Sequence, residues 1–140
     1  MNIDALVSLY NEFQREGVLV FDYPQQDTKA VTIRNDSGYG IFIDTSHMET
    51  ISEELCVLAH EGGHCATGAT HAVCSPLDLI EKHEYKADKH ASYRLIKPEK
   101  LKAAIANGYT EFWQLADFFG VTEDFIRRAD YIYRCEGLIQ

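Results

Sequence analysis

The segment His60-Glu61-Gly62-Gly63-His64 constrains this 140-residue chain more than any other feature. At about 100° per residue, two histidines four positions apart fall roughly 40° from one another around an α-helix. Both imidazoles can then reach one ion from one helix face, in the HExxH pattern. Glu61 lies on the flank of that face, where it can take a proton from water activated at the ion. Ile51, Leu55, Leu58, Gly62 and Cys65 form an apolar stripe on the other side, so the helix can bury its back while its ligands face a cleft. Gly62 and Gly63 each cost roughly 1 kcal/mol relative to alanine inside a helix. Close approach of another backbone is the reason to expect them there.

Two histidines need a third protein ligand, and catalysis needs an open position on the metal. Glu84-Tyr85-Lys86-Ala87-Asp88 supplies an ExxxD pattern twenty residues after His64. Glu84 and Asp88, at i and i+4, share a helix face. Glu84 can coordinate the ion, and Asp88 can accept the outward N–H of a ligand histidine and fix its tautomer. The expected cofactor is therefore Zn²⁺, held by His60, His64 and Glu84, with Glu61 as the catalytic base and Asp88 behind a ligand.

The surrounding pattern predicts an α+β fold: a small antiparallel sheet with a helical core that carries a zincin-type active-site helix, then C-terminal helices. Ile3, Leu6, Val7, Tyr10 and Phe13 recur at helical spacing before Gly17. Val18–Tyr23, Lys29–Arg34 and Tyr39–Asp44 read as strands, the last two joined by a turn at Asn35-Asp36-Ser37-Gly38. Thr50 with Glu53 predicts a capping box opening the helix from Ile51 to about Thr67. A long helix is expected from Leu77 to Ile96, stopped by Pro98. Shorter ones follow at Glu99–Ala106, Glu111–Phe119 and Glu123–Arg134. These make one expected domain over 1–140: a helix and sheet to 49, the zinc-binding helices over 50–98, and C-terminal helices over 99–140.

Composition narrows the partners. A chain that is 46% hydrophobic and 25% charged is ordinary for a globular protein. Its net charge of −9 disfavours an electrostatic grip on nucleic acid or an anionic membrane. Proteins or peptides are the expected partners. Asp4, Glu12 and Glu16 interrupt the first helix, which therefore does not read as a signal peptide, and no run has the length of a membrane helix. Cys56, Cys65, Cys74 and Cys135 do not form a disulfide-scaffold pattern. The expected setting is the cytoplasm.

The HExxH segment, then Glu84-Tyr85-Lys86-Ala87-Asp88-Lys89-His90-Ala91, then Leu95-Ile96-Lys97-Pro98 resemble the ImmA/IrrE family of zinc metallopeptidases. The likeness extends more loosely to the preceding strands and to Leu115–Thr122. It implies a gluzincin-like fold and cytoplasmic cleavage of a regulatory protein, often a helix-turn-helix repressor of a phage or mobile element. By position it makes His60, His64 and Glu84 ligands and Glu61 the base. His90 and Gly62 depart from the family's usual residues there.

Three alternatives compete. His71 nearly completes a metzincin pattern, but it falls one residue late and no methionine follows the motif. Cys56 or Cys74 can close a structural zinc site, though such a site has no need of Glu61. Leu115-Ala116, Gly120 and Ile126 have the spacing of a DNA-binding helix-turn-helix. However, Glu111, Asp117, Glu123, Asp124 and Asp130 outnumber Arg127, Arg128 and Arg134 across that segment, a poor footprint for DNA. The expected result is no salt-sensitive binding to duplex DNA at low ionic strength. Submicromolar binding that weakens steeply with salt would instead favour a DNA-binding regulator.

Overall fold

The computed structural model describes residues 3–25, 28–70 and 76–140. His71 and Cys74, two of the alternative ligands, lie outside the described residues. The chain runs α1 (Ile3–Glu16), β1 (Leu19–Asp22), β2 (Ala30–Asn35), β3 (Gly38–Ile43), α2 (Ile51–Thr67), α3 (Leu77–Leu95), α4 (Pro98–Ala106), α5 (Phe112–Phe119) and α6 (Glu123–Cys135), with a 3-10 turn at Thr45–His47 that sequence pattern had not indicated. The class is α+β, as expected.

The sheet differs from expectation in one pairing. Its order is β1-β3-β2, with β2 antiparallel to β3 but β1 parallel to β3. It is therefore mixed rather than antiparallel. The hairpin at Asp36-Ser37 places β3 between its two predecessors, against β2 and alongside β1. Alternation along a strand reveals which face is buried and nothing about its neighbours. β3, the central strand, buries Ile41 and Ile43 almost completely.

Local chemistry fixes the helix that matters most. The Thr50 hydroxyl accepts the Glu53 N–H at 3.0 Å, closing the first turn of α2. Only half of the expected capping box forms, because the Glu53 carboxylate instead accepts from the Glu49 N–H and pairs with Lys29. Gly68 ends the helix at φ +66°, a left-handed conformation that glycine adopts without strain. α3 stops at Leu95, and Pro98 opens α4 from its first turn.

Two apolar clusters meet along α2. Leu55 and Leu58 pack with Leu6, Leu9 and Phe13 of α1 and with Ile41 and Ile43 of β3. Cys56, on another face, joins Ile96, Leu101, Leu115, Ile126, Ile132 and Tyr133 of the C-terminal helices. Phe125 packs against both clusters. α2 also lies directly against α3, where Ala87 and Ala91 are fully buried. Among the described residues no helix is long and apolar enough to cross a membrane.

The two glycines explain how closely α2 packs, Gly63 against α3 and Gly62 against α1. A Cβ at Gly63 would stand 2.3 Å from the Ala87 carbonyl oxygen and 2.9 Å from its carbonyl carbon and Cα. One at Gly62 would meet the Phe13 ring at 2.7 Å. Gly63→Ala should therefore destabilise the protein by about 1–3 kcal/mol, the scale of an overpacked core, although alanine is the better helix former. Urea unfolding measures this, with Ala66→Gly on exposed helix surface as the propensity control. A stabilised Gly63→Ala would show that the contact is not limiting.

Candidate metal centre

Because α3 crosses so near α2, Glu84 comes opposite both histidines. His60 Nε2 lies 2.8 Å from Glu84 Oε2, and His64 Nε2 lies 3.2 Å from Glu84 Oε1. One ligand atom from each of these three residues falls within 4.8 Å of the others. The outward nitrogens are already engaged. His60 Nδ1 is 2.7 Å from Asp88 Oδ1, and His64 Nδ1 is 2.6 Å from the Ala69 carbonyl oxygen. A carbonyl or a carboxylate only accepts, so each Nδ1 carries a proton, and each ring can offer its Nε2 to a metal once that nitrogen gives up the proton it shares with Glu84. Two imidazole nitrogens and a carboxylate, convergent and with fixed tautomers, fit a divalent metal.

The ionisation of the group agrees with a place built for positive charge. Burial works against a charged His60, but hydrogen bonds to Asp88 and Glu84 outweigh it and lift the pKa to about 10. His64 is raised in the same way against burial, by Glu84 and the Ala69 carbonyl. The hydrogen bonds from both rings hold Glu84 far below the usual carboxylate range. Protons on the histidines occupy the role of the cation here, and a metal must displace them to bind.

Glu61 is not part of the convergent group. It is 7% exposed and stands at the junction of two clefts. One cleft leads past Val57, Phe125 and Arg128, and the other past Val31, Thr32 and Thr70; Glu84 borders both. The Thr32 hydroxyl lies 3.2 Å from the Glu61 carbonyl oxygen and 3.4 Å from Oε2, and so fixes the glutamate from the sheet side. Burial raises the pKa of its carboxyl, against the lowering effect of His60 and His64.

Other sequence candidates fall elsewhere. Cys56 borders the cleft, but its sulfur takes a hydrogen bond from the Thr122 hydroxyl at 3.8 Å, and it is absent from the convergent group. The Tyr85 hydroxyl donates to Glu136, and Tyr93 packs on Tyr133, so neither lines either cleft. Trp113 is 60% exposed on α5, away from the centre. Three further partners carry no signal in the sequence pattern. Ala69 acts through its backbone, Thr32 through strand register, and Arg128, whose Nε donates to Asp88 Oδ2 at 2.9 Å, through the docking of α6 on α3.

A family model described as Peptidase_M78, IrrE N-terminal-like domain, matches residues 13–129. No curated protein and no solved structure matches the chain. The matched span takes in α2, α3 and all the residues that converge on the centre.

The ligand set can be tested by competition against a chelator of known affinity. Glu84→Ala should lose metal severely, since one of three protein donors is gone. Asp88→Ala should bind about 10- to 100-fold more weakly, the usual scale for a lost outer partner of a ligand histidine. Wild-type affinity in Glu84→Ala would remove Glu84 from the ligand set.

Proposed function

The chain belongs to the ImmA/IrrE family of metallopeptidases, which are hydrolases, and we propose that it is a zinc-dependent endopeptidase. In this reading His60, His64 and Glu84 hold the ion, Asp88 orients His60, and Glu61 is the catalytic base. The donor set of two imidazoles and one carboxylate suits Zn²⁺ and leaves a coordination position open. The convergence of these three donors beside a buried glutamate outside the group is the main support.

The metal, when bound, supplies Lewis-acid chemistry that polarises the scissile carbonyl and acidifies water. Glu61 does the proton work. As a carboxylate it takes a proton from the attacking water, and as the acid it delivers that proton to the departing amine. Burial favours the second role by raising its proton affinity. Thr32 limits its rotation. The clefts continue on both sides of Glu61, which suits a polypeptide with residues on either side of the bond to be cut.

A peptidase family implies protein substrates. The finer expectation, carried by the family resemblance, is a cytoplasmic regulatory protein such as a helix-turn-helix repressor of a phage or mobile element. Purified protein assayed against repressors encoded nearby tests this substrate class directly.

Glu61→Gln separates binding from chemistry, because glutamine matches the shape but cannot accept the proton. The variant should keep about one metal per chain and near-wild-type thermal stability. Its hydrolysis should fall by at least the roughly 10²- to 10⁴-fold usual for a general base. Full activity would sink the role given to Glu61, and loss of the metal would make it a ligand.

A further inference from the structure

Asp88 is shared between two partners. Its Oδ1 engages His60 Nδ1 at 2.7 Å, and its Oδ2 takes the Nε–H of Arg128 at 2.9 Å. Arg128 reaches across from α6, and its guanidinium lies 6.0 Å from the centroid of the Tyr85 ring and 5.6 Å from that of Tyr131. Tyr85 is tethered in turn, since its hydroxyl donates at 3.2 Å to Glu136, which also accepts from Lys89 at 2.8 Å. Arg128 borders the same cleft as His60, Glu61 and Glu84.

We propose that Arg128 is a positioning residue of the metal centre, which locks the Asp88 carboxylate and through it aims His60 Nε2 at the ion. This rests on the metal-centre reading above. A carboxylate bonded through one oxygen can still swing about its terminal torsion, whereas one held through both oxygens in different directions cannot. Charge points the same way. Glu61, Glu84 and Asp88 place three carboxylates around the centre. Arg128 sets a fixed positive charge directly on one of them. Arginine also keeps its proton at any working pH, so it does not compete with His60 for a changing charge.

Fold stability does not account for the pair. The Arg128 side chain is 43% exposed, and an ion pair so open to water contributes at most about 1 kcal/mol. Its effect is expected on ligand geometry instead.

The test is a double-mutant cycle on zinc affinity, read by chelator competition in the full chain. Arg128→Met should bind zinc about tenfold more weakly, at the lower end for outer partners of a ligand. Arg128→Lys, which keeps the charge but not the planar fork, should fall between Met and wild type, and it carries the test if the Met variant fails to fold. Adding Arg128→Met to Asp88→Ala should cost nothing more, because the route through Asp88 is already cut. In the metal-free protein, the His60 Nδ1–H nitrogen-15 NMR signal should exchange with water faster in Arg128→Met. Wild-type affinity in that variant, or the same loss repeated on top of Asp88→Ala, would overturn the proposal. A wild-type chain that takes up no divalent ion would sink the metal-centre reading and this inference with it.

Discussion

The contact on which the rest of the structure depends is the passage of the Ala87 backbone against Gly63. Glu84 lies on α3 and both histidines lie on α2, so the convergent group exists only if the two helices nearly touch. Any side chain at position 63 would meet the Ala87 carbonyl well inside van der Waals distance. On α3, Ala87 and Ala91 complete the approach by presenting nothing larger than a methyl. The two glycines cost roughly 1 kcal/mol each in helix propensity. Burial of Leu55 and Leu58 in the core beneath the sheet offsets that, at about 1.5–3 kcal/mol for each fully buried side chain.

The hydrogen bonds behind the two histidines are as determined as their convergence on Glu84. His64 is oriented by the Ala69 carbonyl, only five residues on, immediately after the Gly68 cap turns the chain. The left-handed cap thus both ends α2 and supplies the acceptor that selects the tautomer of its last histidine. His60 is oriented from another helix, by Asp88. One histidine is therefore set by local chain geometry and the other by tertiary packing. The contact from α6 at Arg128 meets the group on the His60 side, through Asp88, while α3 touches both histidines through Glu84.

Much of this was legible in the sequence, for identifiable reasons. α2 was readable to the residue, because its cap, stripe and glycine stop are local signals that agree with one another. The grouping of His60, His64 and Glu84 followed from spacing, since i, i+4 on one helix and an ExxxD on the next leave few arrangements. The parallel pairing of β1 with β3 was not legible, because strand order is a choice among neighbours that alternation does not encode. Arg128 was equally hidden: nothing near it in sequence marks it, and its partner lies 40 positions away. The helix-turn-helix spacing around Gly120 falls on packing positions, since Leu115, Val121 and Ile126 there belong to the buried core of the C-terminal helices.

The two halves of α2 show where folding and chemistry divide. From Ile51 to Ala59 the helix follows ordinary rules, with a capped start and buried Leu55 and Leu58 on one face. From His60 to His64 it breaks several at once: two adjacent glycines, a buried glutamate and a buried histidine. Each departure has its own compensation close by. Gly63 answers the Ala87 backbone, His64 the Ala69 carbonyl, and Glu61 the Thr32 hydroxyl and the neighbouring imidazoles. Because the compensations come from β2, α3 and the turn after α2, this half of the helix is held by three separate elements. That arrangement keeps a polar, convergent site rigid where the local sequence alone would not favour a helix, as expected where local preference and global structure disagree at a functional site.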